Sequence, residues 1–110
     1  MRECLRAAAL FLTSCAVGST AVHAAPITAE RAAELRHLVR HDCGSCHGMT
    51  LKGGLGPDIR AARLAGIDPA TIAAIILDGV PGKPMPPWRS LLSSDEAFWI
   101  ANYLLRATDQ

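Results

Sequence analysis

Apolar side chains recur at intervals of three and four residues in several stretches of the chain, which is the spacing of one face of an α-helix. The first stretch predicts a helix over residues 29–40 with Thr28 as its N-cap. Its predicted buried stripe consists of Leu35, Leu38 and Val39. This stripe leads directly into a cysteine-containing segment, so we expect the first helix to position that segment.

A second clear helix is predicted to begin at Pro69, with Asp68 as its N-cap, and to end at Gly79. Three isoleucines are expected to form its buried face: Ile72, Ile75 and Ile76. A short helix is also predicted within residues 59–65, and Gly66 ends it. The pattern therefore gives two neighbouring helices in the middle of the chain.

The final helix is predicted to start at Ser93 or Ser94 and to run to about residue 107, because Ser93 and Glu96 have the spacing of a capping box. Its expected apolar face consists of Ala97, Ile100, Ala101 and Leu104. No segment alternates between apolar and polar residues, as strands do. The predicted fold is all-α, and the first and last helices are expected to pack together.

Two segments are predicted to be loops. Residues 48–57 contain four glycines, and residues 81–87 contain four prolines. Neither composition is compatible with a regular helix.

Residues 1–24 have the pattern of an export leader: a short basic start, an apolar stretch over residues 7–17 and small residues before a cleavage site after Ala24. The apolar stretch is too short to be a membrane span. We expect export to the periplasm and one mature domain over residues 25–110. An alternative is a lipoprotein leader, in which Cys15 would become a lipid-anchored N-terminus.

Charge makes nucleic acid an unexpected partner. The whole chain has 11 basic and 10 acidic side chains, and the leader carries Arg2, Arg6 and Glu3. The exported domain is thus electrically balanced, whereas phosphate-binding proteins normally have a basic excess. A domain of this size has only a marginal core of its own, and we expect it to be a monomer.

The segment Cys43-Gly44-Ser45-Cys46-His47 predicts covalent attachment of a c-type haem. On one helical turn, Cys43 and Cys46 share a face and can both reach the vinyl groups at one porphyrin edge. His47 then lies beside the iron and can supply one axial nitrogen. One haem c is therefore the expected cofactor.

Other chemistries fit this segment less well. A thioredoxin-like pair would need a preceding strand, and a disulfide closing so short a loop is strained. A zinc site made of His37, His41, Cys43 and Cys46 has acceptable spacing. That site would leave His47 without a role, so the haem interpretation is preferred.

Met85 is the expected second axial ligand, because Pro84 and Pro86 restrict the backbone around its thioether. Met49 is too close to His47 in sequence to reach the opposite face of the haem. The alternative is that Met85 only packs in the core. Ligation by His47 and Met85 predicts a positive reduction potential.

At this point the chain resembles the class I cytochromes c, small domains of about four helices wrapped around one covalent haem. The resemblance implies that the Pro57 carbonyl accepts a hydrogen bond from His47 and that Trp88 lies near a haem propionate, although Trp88 could equally be a core residue. Three arginines are further propionate partners or plain surface charges: Arg60, Arg63 and Arg89.

A narrower resemblance rests on residues 42–50, on Leu55-Gly56-Pro57 and on Met85-Pro86-Pro87-Trp88 followed by Leu91. These segments are similar to those of the c55X cytochromes of denitrifying bacteria. The resemblance implies electron delivery to cytochrome cd1-type nitrite reductase, or to the maturation of its haem.

The expected function is one-electron transfer without catalysis by the chain itself. Three apolar residues, Leu51, Leu55 and Pro87, are expected to form a docking patch near the haem edge. Two alternatives remain. One is an assembly factor for haem maturation, and the other is a ligand-binding haem enzyme, which would require Met85 to dissociate from the iron.

Overall fold

The computed structural model describes residues 25–107, and this part of the chain is helical without a strand. The predicted leader, its cleavage site and Cys15 lie outside the described residues. The helices are α1 (Ala29–Leu38), α2 (Gly44–His47), α3 (Ala61–Leu64), α4 (Pro69–Asp78) and α5 (Ser94–Arg106). One π-helical turn, Val39–Cys43, joins α1 to α2. The all-α prediction is confirmed.

Helix α1 begins where the sequence predicted, since the Thr28 hydroxyl accepts a hydrogen bond from the Arg31 amide at 3.2 Å. The helical path does not stop at residue 40, however, but continues through the π turn to His47. A π turn contains more residues than an α turn, so it rotates the segment that follows it relative to α1. Leu35 and Val39 are fully buried, as predicted.

Helix α4 has both predicted end signals: the Asp68 carboxylate accepts from the Ala70 amide at 2.7 Å, and Gly79 follows the last turn. Its buried residues are Ile72, Ala73, Ile76 and Leu77. The prediction that Ile75 is buried was wrong, because 44% of it is exposed. The buried face is centred between Ala73 and Ile76, and Ile75 falls on its far side.

Helix α5 starts with the predicted capping box. The Ser93 hydroxyl accepts from the Glu96 amide at 3.2 Å, and the Glu96 carboxylate accepts from the Ser93 amide at 2.8 Å. Its four predicted core residues are all buried: Ala97, Ile100, Ala101 and Leu104. The helix packs mainly against α4 and also contacts α3 and α1.

The first and last helices are also linked by charge, since the Arg31 guanidinium Nε lies 2.5 Å from Glu96 Oε1. The contact between α1 and α5 predicted from the sequence is therefore present. None of the helices formed by residues 25–107 combines the length and the apolar character that crossing a bilayer requires.

Candidate functional site

Cys43, Cys46 and His47 lie on one continuous helical segment, with Cys43 closing the π turn and the other two in α2. Both cysteines are free thiols and half-buried. Burial, together with the negative charge of Asp42, raises the pKa of the Cys43 thiol to about 11.

His47 is held in one orientation by the loop that follows it. Only 9% of the residue is exposed, and its Nδ1 lies 2.7 Å from the carbonyl oxygen of Pro57. A carbonyl can only accept, so Nδ1 carries the hydrogen and Nε2 keeps its lone pair. The hydrogen bond implied by the family resemblance is present, and it leaves Nε2 free to bind a metal.

The glycine-rich loop is tied to the end of α2 through the main chain. The Gly53 amide donates to the His47 carbonyl at 2.7 Å, and the Gly56 amide donates to the Cys46 carbonyl at 2.8 Å. These bonds satisfy carbonyls that a helix end leaves unpaired. Gly56 lies so close to the imidazole that a Cβ there would be 2.7 Å from Cε1 of His47. The absence of a side chain at residue 56 therefore makes room for the ring.

Leu51 is a residue whose role sequence reasoning missed. It has a positive φ of 57°, and only 2% of it is exposed because it belongs to the hydrophobic core. Its predicted place in a surface docking patch was wrong. The signal that could have identified it is its position as a large apolar residue in a loop of glycines, where it is able to anchor the loop.

The rest of the predicted patch is on the surface: 73% of Leu55 is exposed, and Pro87 is exposed as well. Two further apolar residues in the same loops are exposed, Met49 by 57% and Leu91 by 65%. The loop between α2 and α3 and the loop between α4 and α5 therefore carry several large apolar side chains that the core does not cover.

Met85 is half-buried and is held against the end of α4. Its carbonyl accepts a hydrogen bond from the Val80 amide at 3.1 Å. The approach depends on Gly79, which has a φ of 67° and whose Cβ, if present, would lie 2.6 Å from the Met85 carbonyl oxygen. Gly79 thus both ends α4 and allows the Met85 segment to lie against it.

Trp88 holds the other end of the same segment. Its amide donates to the carbonyls of Ile76 at 3.2 Å and Leu77 at 3.1 Å, and its side chain packs against the hydrophobic core. The Val80–Met85 bond thus closes a loop within residues 80–85, and the Trp88 bonds tie the end of the segment to the last turn of α4. The sequence allowed Trp88 to be either a propionate neighbour or a core residue. These contacts favour the core role.

The three arginines considered as propionate partners are all close to carboxylates. Arg60 and Arg63 lie 2.6 and 3.7 Å from the Asp58 carboxylate, and Arg89 lies 2.5 Å from the Asp78 carboxylate. Hydrogen bonds from Arg60, with the charge of Arg63, lower the pKa of Asp58 to about 2. Arg60 and Arg89 are therefore each paired with a carboxylate, whereas Arg63 shares Asp58 with Arg60 and its charge is only partly offset.

The alternative zinc site is not formed. Within residues 25–107 no group of three or more histidine, cysteine, aspartate or glutamate side chains is arranged to hold a metal ion. His37 and His41 do meet, with ring centroids 4.1 Å apart, but they do so on the exposed surface of the first helical segment. The two cysteines therefore remain available for haem attachment, the chemistry predicted from the sequence.

A helical domain that presents two thiols and a preoriented imidazole on one turn defines the class of small c-type cytochromes. The family described as "Cytochrome C oxidase, cbb3-type, subunit III" matches residues 30–104, which places the chain in this family of cytochrome c domains. The sequence is 58% identical over 90 residues to "Cytochrome c55X" of Paracoccus denitrificans (strain Pd 1222), a match that covers 82% of this chain and 86% of the relative. The chain therefore belongs to the cytochrome c55X family.

Two solved structures are similar. The "c-type cytochrome NirC" has 47% sequence identity and a TM-score of 0.71, and the match covers 74% of this chain and 95% of that one. The "Dihydro-heme d1 dehydrogenase NirN in complex with DHE" has 31% identity and a TM-score of 0.61. That match covers 68% of this chain but only 16% of the larger protein, so the likeness is to one domain of it.

Members of this family carry one covalently bound haem c, and the residues present fit it. Cys43, Cys46 and His47 match its attachment motif, both thiols are free, and the imidazole has an available Nε2. When bound, the haem supplies a one-electron iron couple. The cofactor and the denitrification-related family inferred from the sequence are thus confirmed.

Proposed function

We propose that residues 25–110 form a periplasmic one-electron carrier whose haem iron is held by His47 and Met85. The observation that carries this proposal is the 2.7 Å contact between His47 Nδ1 and the Pro57 carbonyl. It commits the imidazole to one tautomer and one orientation before any metal arrives. Preorganisation of this kind suits a centre that changes charge without changing its ligands.

In this proposal the Met85 thioether is the second ligand of the iron. The Val80–Met85 hydrogen bond closes the loop and the Trp88 amide ties its end to α4, so the thioether can be presented at little entropic cost. A soft sulfur ligand favours ferrous over ferric iron and raises the reduction potential. The proposal therefore includes a positive midpoint potential.

The exposed side chains of Met49, Leu55 and Leu91, with Pro87, are proposed as the docking surface for redox partners. All four belong to the loops that also carry Pro57 and Met85. Redox encounters bury little area and are weak. A few exposed apolar residues on a monomer are therefore sufficient for such a docking surface. Electrons would pass through the porphyrin edge near Cys43 and Cys46.

The proposed acceptor is cytochrome cd1-type nitrite reductase. This proposal depends on the resemblance to the c55X cytochromes and on the 58% identity to a member from a denitrifying species. A second candidate is maturation of the haem of that enzyme, and the similarity to a domain of a dihydro-haem d1 dehydrogenase favours it. Dehydrogenation releases two electrons and two protons for each double bond formed, so two one-electron carriers would be reduced in each turnover.

We further propose that the protein is not a catalyst in its own right. Catalysis at the iron would require Met85 to dissociate and an acid or base to lie nearby. The other two described histidines, His37 and His41, are both on the exposed face of the first helical segment. Slow or absent binding of carbon monoxide by the reduced protein is the expected result, and rapid binding at neutral pH would favour the enzymatic alternative.

Export is proposed through cleavage of residues 1–24, which lie outside the described part of the chain. The intact mass of the purified product distinguishes this from the lipid-anchored alternative at Cys15. A product that begins at Ala25 with one haem supports the periplasmic carrier, whereas a lipid-modified Cys15 contradicts it.

Stopped-flow kinetics test the electron-transfer role. The reduced carrier is mixed with purified cd1-type nitrite reductase and, in parallel, with an unrelated terminal oxidase. The expected result is faster reduction of nitrite reductase. Equal rates would contradict this partner. In a third experiment the oxidised carrier is mixed with the dihydro-haem d1 dehydrogenase and its substrate, and reduction of the carrier there supports the maturation role.

A further inference from the structure

His37 and His41 have no part in the proposed electron carrier, although they form a defined pair. Their ring centroids are 4.1 Å apart and their planes are inclined by 36°. Both side chains are exposed, and this ring contact is the one interaction that the described part of the chain shows for either of them. The two rings are therefore free to turn without breaking another bond.

The four-residue spacing brings both rings to one side of the helical segment, an arrangement that holds a metal in other helical proteins. Two imidazoles bound side by side to one metal at about 2.1 Å have ring centroids about 4.5 to 5.2 Å apart. Rings that are 4.1 Å apart reach this geometry when they separate by about an ångström or less. Rotation of exposed side chains is sufficient for such a change.

We propose that His37 in α1 and His41 in the π turn that follows it chelate a divalent transition metal on the protein surface, separately from the haem iron. Imidazole favours zinc, copper and nickel. Water would complete the coordination, because no third suitable ligand is grouped with the pair within residues 25–107. Glu34, one turn before His37, is not counted as a ligand, because its carboxylate already contacts the Arg31 guanidinium at 2.6 Å.

The sequence allows the site to be assigned without ambiguity. The chain has four histidines, and His23 belongs to the predicted leader. His47 is only 9% exposed, and its Nδ1 is bound to the Pro57 carbonyl. Within residues 25–107, His37 and His41 are thus the two imidazoles whose nitrogens have no partner, and a surface imidazole site there must use them.

The test is calorimetric titration of Zn²⁺ into the oxidised, haem-loaded protein without residues 1–24. One zinc ion per chain is expected for the unaltered protein. H37A and H41A should each weaken binding about a hundredfold, because a second ligand on the same scaffold acts at high effective concentration. R40A, which changes an exposed neighbour on the same segment, is the matched control and should bind zinc as the unaltered protein does.

The haem absorption spectrum of each variant shows that the domain remains folded. The proposal is overturned if the unaltered protein binds zinc no more tightly than the H37A/H41A double variant, or if R40A loses as much affinity as H37A. Retention on a nickel-charged column provides a second measurement, since a chelating pair is retained and a single imidazole elutes early.

Discussion

The Nδ1 atom of His47 lies 2.7 Å from the carbonyl oxygen of Pro57, ten residues further along the chain. The loop between them is held to the end of α2 by two main-chain hydrogen bonds, at His47 and Cys46. Because the acceptor is a backbone carbonyl, the only side-chain substitution that removes this contact directly is one of His47 itself, which also removes the proposed iron ligand. Its strength must be changed through the space around the ring.

Gly56→Ala changes that space. The added methyl would lie 2.7 Å from Cε1 of His47, so the ring or the loop must move, at a cost of about 1–3 kcal/mol of unfolding free energy. A weaker hydrogen bond makes the imidazole a poorer donor to ferric iron, and the reduction midpoint should rise. Gly66→Ala is the control for the midpoint, since a Cβ there meets nothing within 4 Å; its φ of 84° adds a backbone strain of its own, so only the midpoints of the two variants are compared. A similar midpoint change in both variants would contradict the role of residue 56.

Met85→His tests the second axial ligand. Exchanging a soft thioether for an imidazole removes a ligand that favours ferrous iron, so the midpoint potential should fall. Met49→Leu is the matched control, because Met49 is 57% exposed and is not a proposed ligand. Redox titration followed by absorbance gives both values. An unchanged midpoint in Met85→His would exclude this residue as a ligand.

Gly79→Ala tests how the methionine segment is positioned. The new Cβ would lie 2.6 Å from the Met85 carbonyl oxygen, and a φ of 67° adds strain. Gly82→Ala also places a side chain at a positive φ, 75°, but its Cβ meets nothing within 4 Å. We expect Gly82→Ala to cost about 1–2 kcal/mol of unfolding free energy and Gly79→Ala clearly more, with a lower midpoint as well. Equal effects would show that the close approach to Met85 is unimportant.

Local signals explain which parts of this fold could be predicted. The start of α5 and its four core residues follow from a capping box and a helical period, both of which are encoded within a few residues. For Leu51 the local signal, a large apolar residue in a loop of glycines, indicates burial but not the partners, because the core that it joins is built from residues distant in sequence. The hydrogen bond that orients His47 was predicted from the family resemblance, since spacing alone does not specify a bond to a carbonyl ten residues away.

Leu51 offers a test that separates packing from backbone strain. Leu51→Ala removes buried side-chain volume while keeping the φ of 57°, and we expect a loss of about 2–4 kcal/mol of unfolding free energy. Leu51→Gly loses the same packing but relieves the left-handed strain, so it should be about 1 kcal/mol more stable than Leu51→Ala. Chemical denaturation of both variants measures this order. The opposite order would show that the backbone at this position is unstrained.

The ion pair between Arg31 and Glu96 makes stability depend on acid. Hydrogen bonds from the Arg31 guanidinium and the Ser93 amide hold the pKa of Glu96 below its usual value. A carboxylate with a lowered folded-state pKa contributes its stabilisation at pH values above the unfolded-state pKa, about 4.3 for glutamate. This contribution is lost as the pH falls through the folded-state pKa.

Glu96→Gln isolates that charge, because the amide oxygen can still accept from the Ser93 amide and keep half of the capping box. At neutral pH the variant should lose about 0.5–1 kcal/mol of unfolding free energy, a modest value since Arg31 is partly exposed. The difference from the unaltered protein should shrink as the pH is lowered below about 4. Glu34→Gln, which removes the other and more exposed partner of Arg31, should cost about 0.3 kcal/mol. Denaturant unfolding across this pH range measures both, and a difference for Glu96→Gln that persists in acid would assign its effect to packing instead of charge.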